Sequence, residues 1–314
     1  MRRKAVFALV ALVAWVAGEA FVSLGPTVVA RAQTGVQLGK AHASYAPSLT
    51  GTKPVVILAI GSGARPGEDV VHSLSDSIHL LFLNPATHKM AIVGVPRDSY
   101  VPIPGHGSNK INASMVSGGP ALLIQTLESN WGVHIDYWAL TSFDGITAMI
   151  DGIGGLTVKV PFDMFDTYSG ASFQKGVHHL AGKDVLAFSR DRHSLTSGDF
   201  GRSEDGGRIF VAALAQFDKE FGKDQSRMLA WLASGLANIQ TSLKFSEILD
   251  LAFTVSHVRV RDAQNVVLPG TTGLVGTQSV VHIDAARARA IMADAQRDGE
   301  ISKPNVPPSP TASQ

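Results

Sequence analysis

The sequence predicts an α/β protein, an α/β/α sandwich around a central mixed sheet. Three observations predict it. Short continuous apolar runs bounded by Pro or Gly have the form of buried strands, and longer amphipathic stretches alternate with them. The 314 residues are 45% apolar and only 17% charged, ample for a sizeable core.

Taken in order, Arg2, Arg3 and Lys4 precede an apolar run over 5–18, which Glu19 interrupts and 20–24 resumes. Twenty residues at ~1.5 Å each just span a bilayer core of ~30 Å. Residues 1–24 therefore read as a single-pass anchor in the cytoplasmic membrane, basic end inside and the remainder on the extracytoplasmic side. Ala30-Arg31-Ala32 has the small-x-small form of a signal-peptidase site, so secretion after cleavage near Ala32 stays open. Residues 25–53 read as a linker, 54–300 as one domain, and the proline-rich 301–314 as a disordered tail.

Within the domain, 55–60, 78–83 and 90–95 are strand-like runs. Pro120 sits at a first helical position, and Gly132 follows the end of that helix. Residues 135–140 return to strand, 143–150 form a helix closing at Gly152, and 157–160 are strand again. His178-His179 reads as closing a turn, and 181–189 as a short helix. After Gly201 the chain becomes mostly helical, over 204–221, 225–239, 242–255 and 285–297. Ile209, Phe210, Ala213, Leu214 and Phe217 make an apolar stripe that fits a core-facing helix or one wall of a lipid tunnel.

Composition excludes several functions. With no cysteine there is no disulfide framework, thiolate metal site or thiol nucleophile. The formal net charge of +1 argues against nucleic-acid binding. The eleven histidines form no His-Glu-x-x-His pattern, and Gly-x-Ser-x-Gly is absent. An anionic ligand must therefore be met by a local cluster of cations.

Three places offer one. Gly61-Ser62-Gly63-Ala64-Arg65 follows the first strand, and Ser75-Asp76-Ser77 opens the second; here Asp76 could hold a hard divalent cation. Pro96-Arg97-Asp98, then Lys110-Ile111-Asn112, follow the third strand, where α/β sheets bind ligands. The Arg97–Asp98 neighbours equally suit a structural ion pair. Arg190, Arg192, Asp199 and Arg202 fall within thirteen residues. Arg190 and Arg192 would share one face of an extended segment, with Arg202 at the mouth of the following helix. Guanidiniums gathered in this way suit a phosphate or pyrophosphate, or a loop laced by ion pairs to Asp191, Asp199, Glu204 and Asp205.

In combination and in order, Gly-Ser-x-x-Arg, Ser-Asp-Ser, Pro-Arg-Asp-Ser, Lys-Ile-Asn-Ala, Gly-Gly-Pro, Phe-Asp-Gly, Arg-x-Arg and Gly-Asp-Phe-Gly-Arg resemble the LytR–CpsA–Psr family over about 55–217. The likeness is closest to its actinobacterial branch, through Arg97-Asp98-Ser99, His106 and 198–203. The resemblance implies a membrane-anchored phosphotransferase that moves a glycopolymer from a polyprenyl-pyrophosphate carrier onto a peptidoglycan sugar hydroxyl. Pyrophosphate hydrolysis would be a side activity, and the prenyl chain would lie in an apolar pocket of an α/β/α sandwich. It further implies pyrophosphate-binding roles for Arg97, Arg190, Arg192 and Arg202, with Arg65, Lys110 and Asn112 binding substrate. Asp98 or Asp199 would orient or deprotonate the acceptor, and Asp76 would bind Mg²⁺.

Three positions depart from the family pattern: Gly63 stands for Asp, Leu74 for Arg and Gly206 for Gln. The loss at 63 leaves one of two metal carboxylates, which weakens the expected Mg²⁺ site. The alternative function is a non-catalytic paralogue that binds polyprenyl pyrophosphate or wall polymer as a scaffold or regulator.

Overall fold

The computed structural model describes residues 51–195, 197–221, 224 and 226–311, so the expected anchor and nearly all of the linker lie outside the described residues. Among the described residues no helix is long and apolar enough to cross a membrane. The elements run β1 (Val55–Ser62), β2 (Ser75–Asn84), β3 (Lys89–Gly94), β4 (Tyr100–Ile103), β5 (Gly107–Lys110), α1 (Ala113–Trp131) and β6 (Tyr137–Thr141). Next come α2 (Phe143–Gly152), β7 (Leu156–Val160), β8 (Met164–Asp166), β9 (Ala171–Phe173), β10 (Gly176–Leu180), α3 (Gly182–Arg190) and α4 (Asp199–Phe221). The chain continues with α5 (Arg227–Asn238), β11 (Gln240–Thr241), α6 (Phe245–Val255), β12 (Ala263–Val267), β13 (Gly270–Val275), β14 (Gln278–Ile283) and α7 (Ala285–Asp298).

Six strands form the expected mixed sheet in the order β11-β6-β1-β2-β3-β12. β1 pairs antiparallel with β2 and parallel with β6, and β3 pairs parallel with β12. Side chains alternate across the pleat, so the sheet has two apolar faces. Val56, Leu58, Ile60, Leu80, Phe82 and Val93 pack under α1 and α7 through Met115, Leu123, Leu127, Ile291 and Met292. Val55, Ile57, Leu81, Leu83 and Ile92 face α4 and α6 through Phe210, Leu214, Ile248 and Leu251. Helices on both faces make three layers, as the alternation of elements requires.

The second face is incompletely filled. Ala59, Gly61, Ser77, Leu81, Ala139 and Thr141 retain solvent exposure although β1 and β2 are inner strands. Ala59 pairs with Ala139, and Gly61 with Thr141, so the floor is lined by small residues in register. α6 buries no residue fully, and α5 buries only Met228.

The expectations hold for β1, β2, β3, β6, α2 and β7 to within about two residues. α1 begins seven residues earlier than Pro120. The chain leaves the helical path at Gly118 and Gly119, where Gly119 has φ 60°, so Pro120 restarts the helix, and Gly132 ends it in the left-handed region at φ 69°.

Several expectations are corrected. His178 and His179 lie in β10, paired with β7, because alternation with buried Leu180 suits a strand. The four helices expected after Gly201 are present as α4, α5, α6 and α7, but strands not expected there lie between α6 and α7: β12 joins the central sheet, and β13 and β14 form a hairpin. The tail is not disordered over 301–311. Ile301 is buried, and its N–H donates to Gln264 Oε1 at 2.7 Å. Thr311 Oγ1 donates to Glu204 Oε2 at 2.6 Å and accepts from Arg208 Nη2 at 2.8 Å. Short hydroxyls there satisfy a buried carboxylate that would otherwise be costly to desolvate.

Candidate active site

Antiparallel pairing of β1 with β2, and of β2 with β3, brings the end of β1, the start of β2 and the end of β3 to one end of the sheet. Gly61 lies opposite Ser77, and His79 opposite Gly94. α4 starts against this end, so Asp199 and Arg202 join residues more than a hundred positions earlier.

Arg97 and Asp76 form an ion pair, as do Arg202 and Asp199, while Lys110 Nζ lies 3.1 Å from Asp98 Oδ1. The Asp98 N–H donates to Asp199 Oδ2 at 3.1 Å, which ties the loop after β3 to α4. Arg97 and Arg202 thus meet around a small cavity of ≈ 20 Å³ with Asp76, His79 and Asp199. Arg97 Nε is buried there with no hydrogen-bond partner, a donor left open toward an anion. Burial pushes the Arg202 guanidinium below its usual pKa, with Asp199 opposing that shift.

A second pair is differently built. The Arg190 guanidinium lies 4.5 Å from the centroid of the Phe143 ring, and that of Arg65 lies 5.2 Å from it. Neither has an ion-pair partner among the described residues, so the shared π face partly offsets their repulsion. Burial first, then the Arg65 charge, lower the Arg190 pKa, and Asp76, Arg97 and Asp166 also act on it. Arg190 is thus within electrostatic reach of both Arg65 and the Arg97–Asp76 pair.

Arg192 differs from Arg97, Arg190 and Arg202 in being exposed. Arg190 ends α3 rather than lying in an extended segment, and Asp191 turns fully inward between the two arginines. Arg192 is exposed, and its backbone N–H donates to Asp166 Oδ2 at 3.2 Å. Arg202 lies within the first turn of α4, because that helix begins at Asp199 rather than near 204. Asn112 precedes α1 and donates its N–H to the Arg97 carbonyl at 3.3 Å. With Asp98, Asn109 and Lys110 it lines a cleft of ≈ 280 Å³ beside the arginine cavity.

Of the expected pair of magnesium carboxylates the chain retains Asp76 alone. Asp76 is engaged by Arg97, and a Cβ at Gly63 would lie 3.1 Å from Asp76 Oδ2, which is where a second carboxylate would have to stand. Among the described residues no three His, Asp or Glu are grouped to hold a metal.

Sequence reasoning missed His79, Phe143 and Asp166. His79 is buried, and its Nε2–H donates to the Ser203 carbonyl at 2.9 Å. Nδ1 therefore accepts from Ser77 Oγ at 3.0 Å. Burial lowers its pKa to about 4, so the ring is neutral. A polar residue inside an apolar strand was the available signal. Asp166 is likewise buried, and hydrogen bonds from His193, Arg192 and Tyr168 outweigh burial to hold it well below the usual carboxylate range.

A mixed sheet between two helical layers, with arginines gathered at one end of its strands, defines an α/β protein with a candidate anion site. The LytR_cpsA_psr family model matches residues 27–297, and the chain belongs to that family. It is 31% identical over 223 residues to the polyisoprenyl-teichoic acid–peptidoglycan teichoic acid transferase TagU of Bacillus cereus, covering 70% of each chain. It is 36% identical over 177 residues to the regulatory protein MsrR of Staphylococcus aureus, covering 54% of this chain and 53% of that one. Among solved structures, B. subtilis TagV superimposes with a TM-score of 0.65 at 26% identity, covering 78% of this chain and 97% of that one. The family protein YwtF (TagT) with bound octaprenyl pyrophosphate superimposes with a TM-score of 0.60 at 18% identity, covering 83% and 94%.

Proposed function

We propose that this chain transfers a glycopolymer from a polyprenyl-pyrophosphate carrier to a peptidoglycan sugar hydroxyl, as an actinobacterial-type family member anchored by residues 1–24 on the wall side of the cytoplasmic membrane. One observation carries the reading: Arg97 from the loop after β3, Arg190 from α3 and Arg202 from α4 gather at one end of the sheet, beside an incompletely filled apolar face. The pyrophosphate takes the arginines, and the prenyl chain takes the corridor between the small-residue floor of β1 and β6 and the half-buried apolar residues of α4, α5 and α6. The names of TagU and of the octaprenyl-pyrophosphate-bound neighbour support this reading.

In the mechanism, Arg97 and Arg202 stabilise charge on the equatorial oxygens and the departing prenyl phosphate. Arg97 Nε contributes the donor that is otherwise unpaired. The acceptor hydroxyl enters the wider cleft and attacks phosphorus in line. Asp98 lines that cleft and is positioned to orient the hydroxyl and take its proton. Asp199 is instead occupied by Arg202 and the Asp98 N–H, and serves to hold both in place. Lys110 Nζ, 3.1 Å from Asp98 Oδ1, holds that carboxylate toward the cleft. With Asp76 paired to Arg97 and no second carboxylate at position 63, metal dependence is weakened relative to the family pattern. No step is assigned to a metal.

Product analysis tests this. The full chain in detergent, given a short-chain polyprenyl-pyrophosphate-linked sugar and peptidoglycan fragments, is expected to yield prenyl phosphate and a phosphodiester-linked product. Binding of the lipid with no turnover, with or without Mg²⁺, would favour the scaffold or regulator.

A further inference from the structure

The β8–β9 hairpin presents two aromatic side chains to solvent: Phe165 is 64% exposed and Tyr168 81%. Neither is loosely held. Asp166, itself only 3% exposed, accepts the Tyr168 N–H at 2.8 Å, the Arg192 N–H at 3.2 Å and a hydrogen bond from His193 Nδ1 at 3.1 Å. The Phe165 N–H donates to Ser194 Oγ at 2.8 Å. The Tyr168 ring stacks on the His193 imidazole, with centroids 4.5 Å apart and planes 28° from parallel. A buried carboxylate thus locks an exposed ring onto the loop that carries Arg192, two residues beyond Arg190.

Arg192 is exposed and has no ion-pair partner among the described residues. An exposed ring stacked on His193, the chain neighbour of the unpaired Arg192, suits a ligand that offers both an apolar ring face and an anion. A pyranose joined to a phosphate has both; a bare prenyl pyrophosphate has no group for the ring. We propose that Tyr168, with Phe165 beside it, is the stacking platform for the phosphate-linked sugar of the donor, with Arg192 on its phosphate. This rests on reading the neighbouring arginines as the pyrophosphate site.

The test compares the affinity of the full chain in detergent for octaprenyl pyrophosphate and for the same lipid carrying one N-acetylglucosamine on its terminal phosphate. Tyr168→Ala is expected to weaken the glycosylated lipid about tenfold and to leave the bare lipid unchanged, while Tyr168→Phe keeps the wild-type preference. An unchanged affinity for the glycosylated lipid in Tyr168→Ala, or an equal loss for both lipids, overturns the proposal. So does a loss confined to an N-acetylglucosamine tetrasaccharide, standing for the acceptor, or to phosphatidylglycerol vesicles. Wild-type protein that binds neither lipid would instead overturn the pyrophosphate reading, and the sugar platform with it.

Discussion

The His79 imidazole occupies the space in front of Gly206: a Cβ at residue 206 would lie 2.6 Å from His79 Cε1. The departure from the family pattern at 206 is therefore matched by a histidine on β2, whose ring is held from both nitrogens by Ser77 and Ser203. A ring fixed in this way has no room to yield. Gly206→Ala is expected to destabilise the fold by about 1–3 kcal/mol through overpacking. A lowered denaturant midpoint with an unchanged slope would show it.

The same histidine sets an acid limb. Its pKa is lowered from 6.5 to about 4 in the fold, so below about pH 6.5 the unfolded chain binds a proton that the folded chain refuses. Stability is complete above that pH and is lost as pH falls toward 4. His79→Leu is expected to flatten this part of a midpoint-versus-pH curve, although it lowers overall stability by removing the ring's hydrogen bonds to Ser77 and Ser203. An acid limb of equal slope in the variant would contradict the assignment.

Gly63 invites the reverse substitution. A side chain there points at Asp76, so Gly63→Asp places two carboxylates together and competes with Arg97 for Asp76. Calorimetric titration with Mg²⁺ is expected to show at least a tenfold gain in affinity over wild type. Equal affinities would mean that the metal carboxylates of this fold lie elsewhere.

Phe143 holds Arg65 and Arg190 on one ring. Phe143→Leu keeps the bulk and removes the π face. The affinity for octaprenyl pyrophosphate is expected to fall about three- to tenfold, with Phe143→Tyr close to wild type. A loss shared equally by both variants would point to packing instead.

Much of the central sheet was legible because buried strands are continuous apolar runs, as in 55–60, 78–83 and 90–95. β12 was missed because the polar Gln264 and Asn265 interrupt its apolar run, and β11 because two residues carry no period. The tail looked disordered by composition, yet Ser309 and Thr311 meet Glu204, a contact of sequence separation above one hundred that no local pattern encodes. At the site, residue types in motif order brought out Arg97, Arg190 and Arg202. Spacing alone put Arg192 on the same face, but it could not show that Arg190 ends a helix. His79 escaped because one polar residue in an apolar strand does not reveal which neighbours satisfy it.

The most direct measurement is the binding of octaprenyl pyrophosphate to the full chain in detergent, in EDTA and in Mg²⁺, for wild type and for Arg190→Ala and Arg202→Ala. Wild type is expected to bind in both buffers. Each variant should lose roughly ten- to a hundredfold in affinity, as removal of a charge-assisted contact worth about 1.5–3 kcal/mol requires. Wild-type protein that fails to bind in either buffer, or variants that bind as wild type does, would contradict the arginine-centred pyrophosphate site.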